Sequence, residues 1–143
     1  MLAPNDQQIF LIDEDDIVRD SLKVLLESHG MQVRDYRNAT DFVAEAGSPR
    51  AGCLVLGYHR AIANGLDLIA TLRRRGVPMP VIFIVGGGDA ATRTAALAAG
   101  AFAYIERPVE ETALIRAVSA ALSRKNGRGA PADAATATAS LGG

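Results

Sequence analysis

One apolar run near the middle of the chain constrains the fold more than any other stretch. Cys53–Leu56 is four consecutive apolar residues, and it ends in Gly57 and a polar loop. A run this short, bounded by glycines, indicates a strand buried on both faces of a parallel sheet. In such sheets ligands gather outside the carboxyl ends of the strands. Position 57 is therefore expected at the floor of the site, where a glycine offers no reactive side chain.

Along the rest of the chain, short segments that read as strands alternate with segments whose apolar residues have the spacing of an α-helix. The predicted strands are Ile9–Ile12, Met31–Tyr36, Cys53–Leu56, Val81–Val85 and Ala101–Ile105. Each is followed by a helical pattern; the first of these starts at Asp16 and stops at Gly30, and the last runs over Glu110–Ser123. The sequence thus predicts an α/β fold: a doubly wound, five-stranded parallel sheet of flavodoxin-like order 2-1-3-4-5, with five helices.

Length and composition predict one globular domain. The chain has 143 residues, of which 49% are hydrophobic and 22% charged, with a formal net charge of -1. This balance gives no electrostatic attraction to nucleic acid or to an anionic membrane. No spanning segment or signal peptide is recognisable, so a cytoplasmic location is expected. Residues 124–143 are rich in Gly, Ala, Pro and Thr, and they are predicted to form a disordered tail.

Strand order 2-1-3-4-5 brings together residues that are far apart in the chain. The acidic residues Asp13 and Glu14 follow the first strand, and Gly57 ends the third. Val85 ends the fourth strand, and Arg107 follows the fifth. Because the carboxyl ends of parallel strands meet at one edge of the sheet, these five residues are expected to surround a single pocket.

Several collinear motifs resemble the receiver domain of two-component response regulators, of the FixJ type. They are Ile12-Asp-Glu-Asp-Asp-Ile-Val-Arg-Asp-Ser-Leu22, Gly52-Cys-Leu-Val-Leu56, Gly65-Leu-Asp-Leu68, Pro80-Val-Ile-Phe-Ile84, Gly88-Asp89, Ala99-Gly-Ala101 and Glu106-Arg-Pro108. The resemblance covers residues 8–123. It implies the same doubly wound fold.

The resemblance also implies how the site departs from the family's pattern. In that family an aspartate ending strand 3 accepts a phosphoryl group; an acidic pair holds Mg²⁺, a Ser or Thr ends strand 4, and a Lys precedes a proline after strand 5. An aromatic residue on strand 5 switches between inward and outward positions. By motif, these positions are Gly57, Asp13 with Glu14, Val85, Arg107 and Tyr104. No cofactor is expected, and any Mg²⁺ site is expected to be weak or lost.

The resemblance therefore implies a degenerate phosphorylation site in a protein that is not an enzyme. Concurrent changes at positions 57, 85 and 107 favour natural loss of the site over a single engineered substitution. Asp13 and Glu14 are expected to pair with Arg107 across the pocket in a bidentate contact that holds one conformation without phosphate.

The leading hypothesis is an atypical, single-domain receiver that signals through protein–protein contacts, independently of phosphorylation. Its expected partners are a histidine kinase, another response regulator or a second copy of the chain. The family's usual docking surface would include Arg93, Ala96, Tyr104 and Arg116. We expect the Tyr104 ring to point outward, because a tyrosine hydroxyl seeks water or a polar partner.

Two other functions stay open from the sequence. In one, a displaced carboxylate, Asp13 or Glu14, still accepts phosphate; in the other, the emptied pocket binds a small molecule or anion at Arg107 and the glycine loop 86–88. His59 is a less favoured acceptor, because a lone loop histidine without a neighbouring base is usually solvent-exposed. Labelling with acetyl phosphate and Mg²⁺ separates phosphate acceptance from simple interaction.

Overall fold

A computed structural model describes residues 8–45, 52–58, 63–77, 79–86 and 90–123 of the chain. In this part of the chain five parallel strands form one sheet of order β2-β1-β3-β4-β5, with helices between and after them. The predicted fold class and strand order are confirmed. The elements are β1 (Gln8–Ile12), α1 (Asp16–Ser28), β2 (Gln32–Tyr36), α2 (Ala39–Glu45), β3 (Gly52–Tyr58), α3 (Ala63–Arg74), β4 (Val81–Val85), α4 (Ala90–Ala98), β5 (Ala103–Glu106) and α5 (Glu111–Ser123).

Helix α1 begins and ends where its sequence provides caps. The Asp15 carboxylate accepts hydrogen bonds from the backbone N–H groups of Ile17 and Val18 at the first turn. At the other end Gly30 has φ of 82°, and its N–H donates to the Glu27 carbonyl. The Met31 N–H donates to the Leu26 carbonyl, which completes a Schellman motif. Gly30 thus ends the helix as predicted, because a left-handed conformation suits glycine.

Helices cover both faces of the sheet, and each face has its own core cluster. Alternate residues of every strand point to opposite faces, so Phe10 and Ile12 lie in one cluster while Ile9 and Leu11 lie in the other. The first cluster includes side chains of α2, α3 and α4, and the second includes side chains of α1 and α5. The central strand β3 is buried on both faces, as the apolar run Cys53–Leu56 predicts.

Two residues that sequence analysis assigned to an exposed docking surface are buried instead. Ala96 is 0% exposed and Tyr104 is 4% exposed, and both belong to the core cluster under α2, α3 and α4. Tyr104 lies between Ala103 and Ile105, which face α1 and α5, so the pleat of β5 turns the tyrosine toward α4. The predicted outward ring is wrong, because burial of the aromatic ring outweighs the preference of its hydroxyl for water.

Several other expectations concern residues outside the described part of the chain. They are the exposed loop position of His59, the glycine loop at 87–88 and the disordered tail 124–143. Among the described residues, no helix is both long enough and apolar enough to cross a membrane.

Candidate functional site

Asp13 lies immediately after β1, at the carboxyl edge of the sheet, and its side chain is fully buried. Its backbone is held from two directions: its N–H donates to the Tyr36 carbonyl at 3.2 Å, and its carbonyl accepts a hydrogen bond from Arg19 Nη1 at 2.8 Å. The carboxylate oxygen Oδ1 accepts the backbone N–H of Asp15 at 2.9 Å. Asp13 is therefore fixed by the end of β2, by α1 and by the loop that leads into α1.

Arg107 reaches the same point from the opposite side of the pocket. Its backbone N–H donates to the Val85 carbonyl at 3.0 Å, which ties the residue to the end of β4. Its Nη2 donates to Asp13 Oδ2 at 3.1 Å, and the arginine side chain is only 21% exposed. A guanidinium beside a buried carboxylate supplies the opposite charge that burial requires. The predicted pairing of Asp13 with Arg107 is confirmed.

Gly57 borders this ion pair so closely that a side chain at position 57 has no room. A Cβ built on Gly57 would overlap Asp13 Oδ2, and it would lie 2.9 Å from Asp13 Cγ and 3.2 Å from Arg107 Nη2. Gly86 lies under the same arginine, since a Cβ there would lie 3.3 Å from Arg107 Cδ. The two glycines thus flank the path of the Arg107 side chain.

Glu14 does not join the pair, which corrects the predicted bidentate contact. Its side chain is exposed, and among the described residues it forms no ion pair. Asp13 and Glu14 are consecutive residues after a strand, so their side chains point in different directions, one into the pocket and one out. Glu14 instead lines a cleft of about 710 Å³ between α2 and α3, which also reaches Gly57.

The residues present do not fit the Mg²⁺ that the resemblance implies. Mg²⁺ requires oxygen ligands in near-octahedral arrangement. Both Asp13 oxygens already accept hydrogen bonds, and Gly57 supplies no carboxylate. In the described part of the chain, no group of three or more His, Cys, Asp or Glu residues is placed to hold a metal ion. The positive charge of the Arg107 guanidinium also lies beside the Asp13 carboxylate, where it would repel a metal cation.

Arg19 is a positioning residue that sequence analysis missed. Besides the Asp13 carbonyl, its guanidinium contacts Asp35 Oδ2 at 3.0 Å and Asp16 Oδ1 at 2.8 Å. Burial alone would raise the pKa of the Asp35 carboxyl, but hydrogen bonds from Arg19 and Lys23 hold that pKa below its ordinary value of 3.8. No local pattern could have found this role, because the contact joins α1 to the neighbouring strand β2.

Exposed apolar residues on α1 are a second feature that sequence analysis passed over. Ile17 is 79% exposed and Val24 is 61% exposed, and they are seven residues apart on one helix face. The signal was available, since both residues lie off the stripe that contains Leu22 and Leu26. Of the predicted docking residues, Arg116 is exposed and Arg93 is partly exposed.

Comparison with known proteins gives one consistent match. A family model described as "Response regulator receiver domain" matches residues 9–119. The transcriptional regulatory protein FixJ of Azorhizobium caulinodans is 38% identical over 132 residues, which are 92% of this chain and 62% of FixJ. The transcriptional regulatory protein TdiR of Thauera aromatica is 37% identical over 119 residues, which are 83% of this chain and 52% of TdiR.

Solved structures agree with the sequence matches. The crystal structure of FixJ-N has a TM-score of 0.77 and 30% identity, covering 87% of this chain and 98% of that one. Full-length FixJ from B. japonicum has a TM-score of 0.74 and 28% identity, covering 81% of this chain and 57% of that one. This chain therefore spans between half and two thirds of the length of the FixJ and TdiR proteins that it matches.

Proposed function

Because the chain belongs to the response regulator receiver domain family, we propose that it takes part in two-component signalling through protein–protein contacts, without being phosphorylated at position 57. The observation that carries this proposal is the ion pair between Asp13 and Arg107. It occupies the space that a side chain at position 57 would need, and Arg107 supplies a positive charge to the buried Asp13 carboxylate without phosphate or metal.

Chemistry at the pocket argues against phosphoryl transfer in three ways. Gly57 has no nucleophile, and the buried Val85 has no hydroxyl with which to hold a bound phosphoryl group. The remaining buried carboxylate, Asp13, is held between the Asp15 N–H and the Arg107 guanidinium. A carboxylate whose lone pairs are engaged by donors is a poor nucleophile.

Two exposed surfaces support the protein-binding part of the proposal. The first is what remains of the predicted docking surface. Arg93 and Arg116 are accessible there, whereas Ala96 and Tyr104 are buried. The second is the outer face of α1, where Ile17 and Val24 are exposed. A contiguous exposed apolar patch marks an interaction site, and we propose that Ile17 and Val24 form part of one.

Charge around the apolar residues of α1 indicates the kind of partner that this second surface fits. Asp20 and Glu27 are exposed on the same helix face as Ile17 and Val24, at spacings of three or four residues. A partner with apolar side chains flanked by basic ones would complement this face. A histidine kinase, another response regulator or a second copy of the chain remains the class of partner that we propose.

Labelling with acetyl phosphate tests the proposal directly. The full chain is incubated with radiolabelled acetyl phosphate and Mg²⁺, denatured and analysed for retained label, with the FixJ receiver domain as the matched positive control. We expect label on the control and none on this chain, because position 57 carries no nucleophile. Stable label on the parent chain would contradict the proposal.

The same assay decides between this proposal and phosphate transfer to a displaced carboxylate. Glu14 is the accessible member of the acidic pair, since Asp13 is fully buried. If the parent chain is labelled, loss of the label in a Glu14→Gln or an Asp13→Ala variant would identify the acceptor. A binding function for the pocket has less support, because Arg107 already donates to Asp13.

A further inference from the structure

We propose that the cleft between α2 and α3 binds a small organic cation that has an apolar body, such as an alkyl or aryl amine. The cleft has a volume of about 710 Å³, within the usual range for small-molecule sites, and it reaches Gly57. The side chains of Asp13 and Arg107 do not line it, so it is a different site from their ion pair. The inference goes beyond the proposed function, because binding of a cation here neither needs nor prevents a protein contact elsewhere.

The floor of the cleft is apolar, and the sheet and both helices contribute to it. Ile12 and Leu56, near the carboxyl ends of β1 and β3, are buried there, as is Leu68 of α3. Val43 of α2 packs against the same core cluster. Because core packing holds these side chains in place, the cleft is formed before a ligand enters, and an apolar body that covers the floor is removed from water.

Two carboxylates make one end of the cleft negative. Glu14 lies two residues beyond the end of β1, and Asp67 lies in the second turn of α3, so both line the cleft toward the carboxyl edge of the sheet. Both side chains are exposed, and among the described residues neither forms an ion pair. Carboxylates beside an apolar floor complement a ligand that joins a positive charge to an apolar body.

Arg75 makes the other end of the cleft positive. Its N–H donates to the Thr71 carbonyl at 3.1 Å, which continues the bonding of α3, and its exposed side chain lines the cleft. Eight residues of helical rise separate it from Asp67 by about 12 Å along the helix axis. A second positive group on the ligand would be repelled at this end. The expected ligand therefore has one cationic group and not two.

NMR titration of the isotope-labelled full chain with hexylamine tests the site, at constant pH and ionic strength. We expect saturable shifts of the backbone amide signals of Gly57, Leu68 and Thr71, with a Kd on the order of 1 mM for so small a ligand. Four related compounds separate the contributions of charge and apolar body. Hexanol lacks the charge, hexanoate reverses it, methylamine lacks the apolar body and hexamethylenediamine adds a second cation, so each is expected to bind more weakly than hexylamine.

Three variants at exposed helix positions connect the binding to the cleft. Asp67→Asn is expected to weaken hexylamine binding about threefold to fivefold and to leave hexanol binding unchanged, because only the charge is lost. Asp20→Asn removes a carboxylate from the outer face of α1, away from the cleft, and is the matched control that should bind hexylamine like the parent. Ala44→Phe places a ring in the cleft and is expected to weaken the binding of both compounds.

Three results would overturn the inference. They are the absence of saturable shifts with hexylamine up to about 20 mM, binding of hexanoate as tight as that of hexylamine, and an Asp20→Asn variant that loses as much affinity as Asp67→Asn. The last would place the amine on the acidic face of α1. None of these results depends on phosphorylation, so label on the parent chain in the acetyl phosphate assay would contradict the proposed function and leave the cleft result unchanged.

Discussion

Gly57 lies against two charged side chains that together fill the space a side chain at this position would need. A Cβ at position 57 would overlap Asp13 Oδ2, whereas one at position 86 would only approach Arg107 Cδ at 3.3 Å. Neither glycine has a left-handed backbone conformation, so alanine adds no backbone strain at these sites. Any loss of stability in the alanine variants therefore reports on packing against the ion pair.

At the scale of single residues, we expect Gly57→Ala to destabilise the fold by roughly 1–3 kcal/mol through overpacking. Gly86→Ala should cost less, because its new contact is a flexible methylene group. In an Asp13→Ala background the cost of Gly57→Ala should fall to about 0.5 kcal/mol or less, since the overlapping oxygen is gone. Urea unfolding of the four variants measures these differences. Equal costs of Gly57→Ala in both backgrounds would show that Asp13 does not set the space at position 57.

At the scale of elements, burial of strand β3 changes the pKa of the one thiol that this strand contains, that of Cys53. Cys53 is 0% exposed and, among the described residues, it is a free thiol. Burial raises the pKa of the Cys53 thiol from 9.0 to about 12. Because the folded pKa lies above the unfolded one, the neutral thiol stabilises the fold fully below pH 9.0, and this contribution is lost as the pH rises toward 12.

We therefore expect the free energy of unfolding to decline above pH 9.0 with a Cys53 contribution of about 1.4 kcal/mol per pH unit. A Cys53→Ala variant should start from lower stability because of the cavity, but its decline should be shallower by that amount. Urea unfolding at several alkaline pH values measures how the free energy of unfolding of each protein changes with pH. The comparison is between these two slopes, because the absolute stabilities also differ through the cavity. If the free energy of unfolding fell equally steeply with pH in the parent and in Cys53→Ala, the raised pKa of the Cys53 thiol would be contradicted.

The fold and most of its elements followed from local patterns, whereas the site was only partly predictable. The apolar run at Cys53–Leu56 and the stripe containing Leu22 and Leu26 are periodic signals, and both predicted their elements. The approach of Arg107 to Asp13 could be predicted because the carboxyl ends of parallel strands lie at one edge of the sheet, so the residues that follow β1 and β5 face the same pocket. The outward direction of Glu14 follows from the alternation of consecutive side chains at the end of β1, and the prediction that both acids contact Arg107 overlooked it.

At the scale of the whole molecule, the Tyr104 side chain is packed inward, in the core between the sheet and the helices on one of its faces. The ring lies with Phe83, Val85 and Ala96 in the cluster that joins the sheet to α2, α3 and α4. The prediction of an outward ring was wrong because burying the ring in the core between the sheet and its helices outweighs exposing one hydroxyl group to water. A buried aromatic ring in such a cluster stabilises the packing between the sheet and the helices on that face.

We expect Tyr104→Ala to destabilise the fold by about 3 kcal/mol, which is the scale of removing a large ring from a core. Arg116→Ala, at an exposed position on α5, is the matched control and should stay within about 0.5 kcal/mol of the parent. Urea unfolding measures both, and sedimentation velocity on the folded variants shows whether association changes. A docking role for an outward ring predicts the reverse, with weaker association and unchanged stability in Tyr104→Ala. A Tyr104→Ala variant as stable as Arg116→Ala would therefore show that the ring is not part of the core.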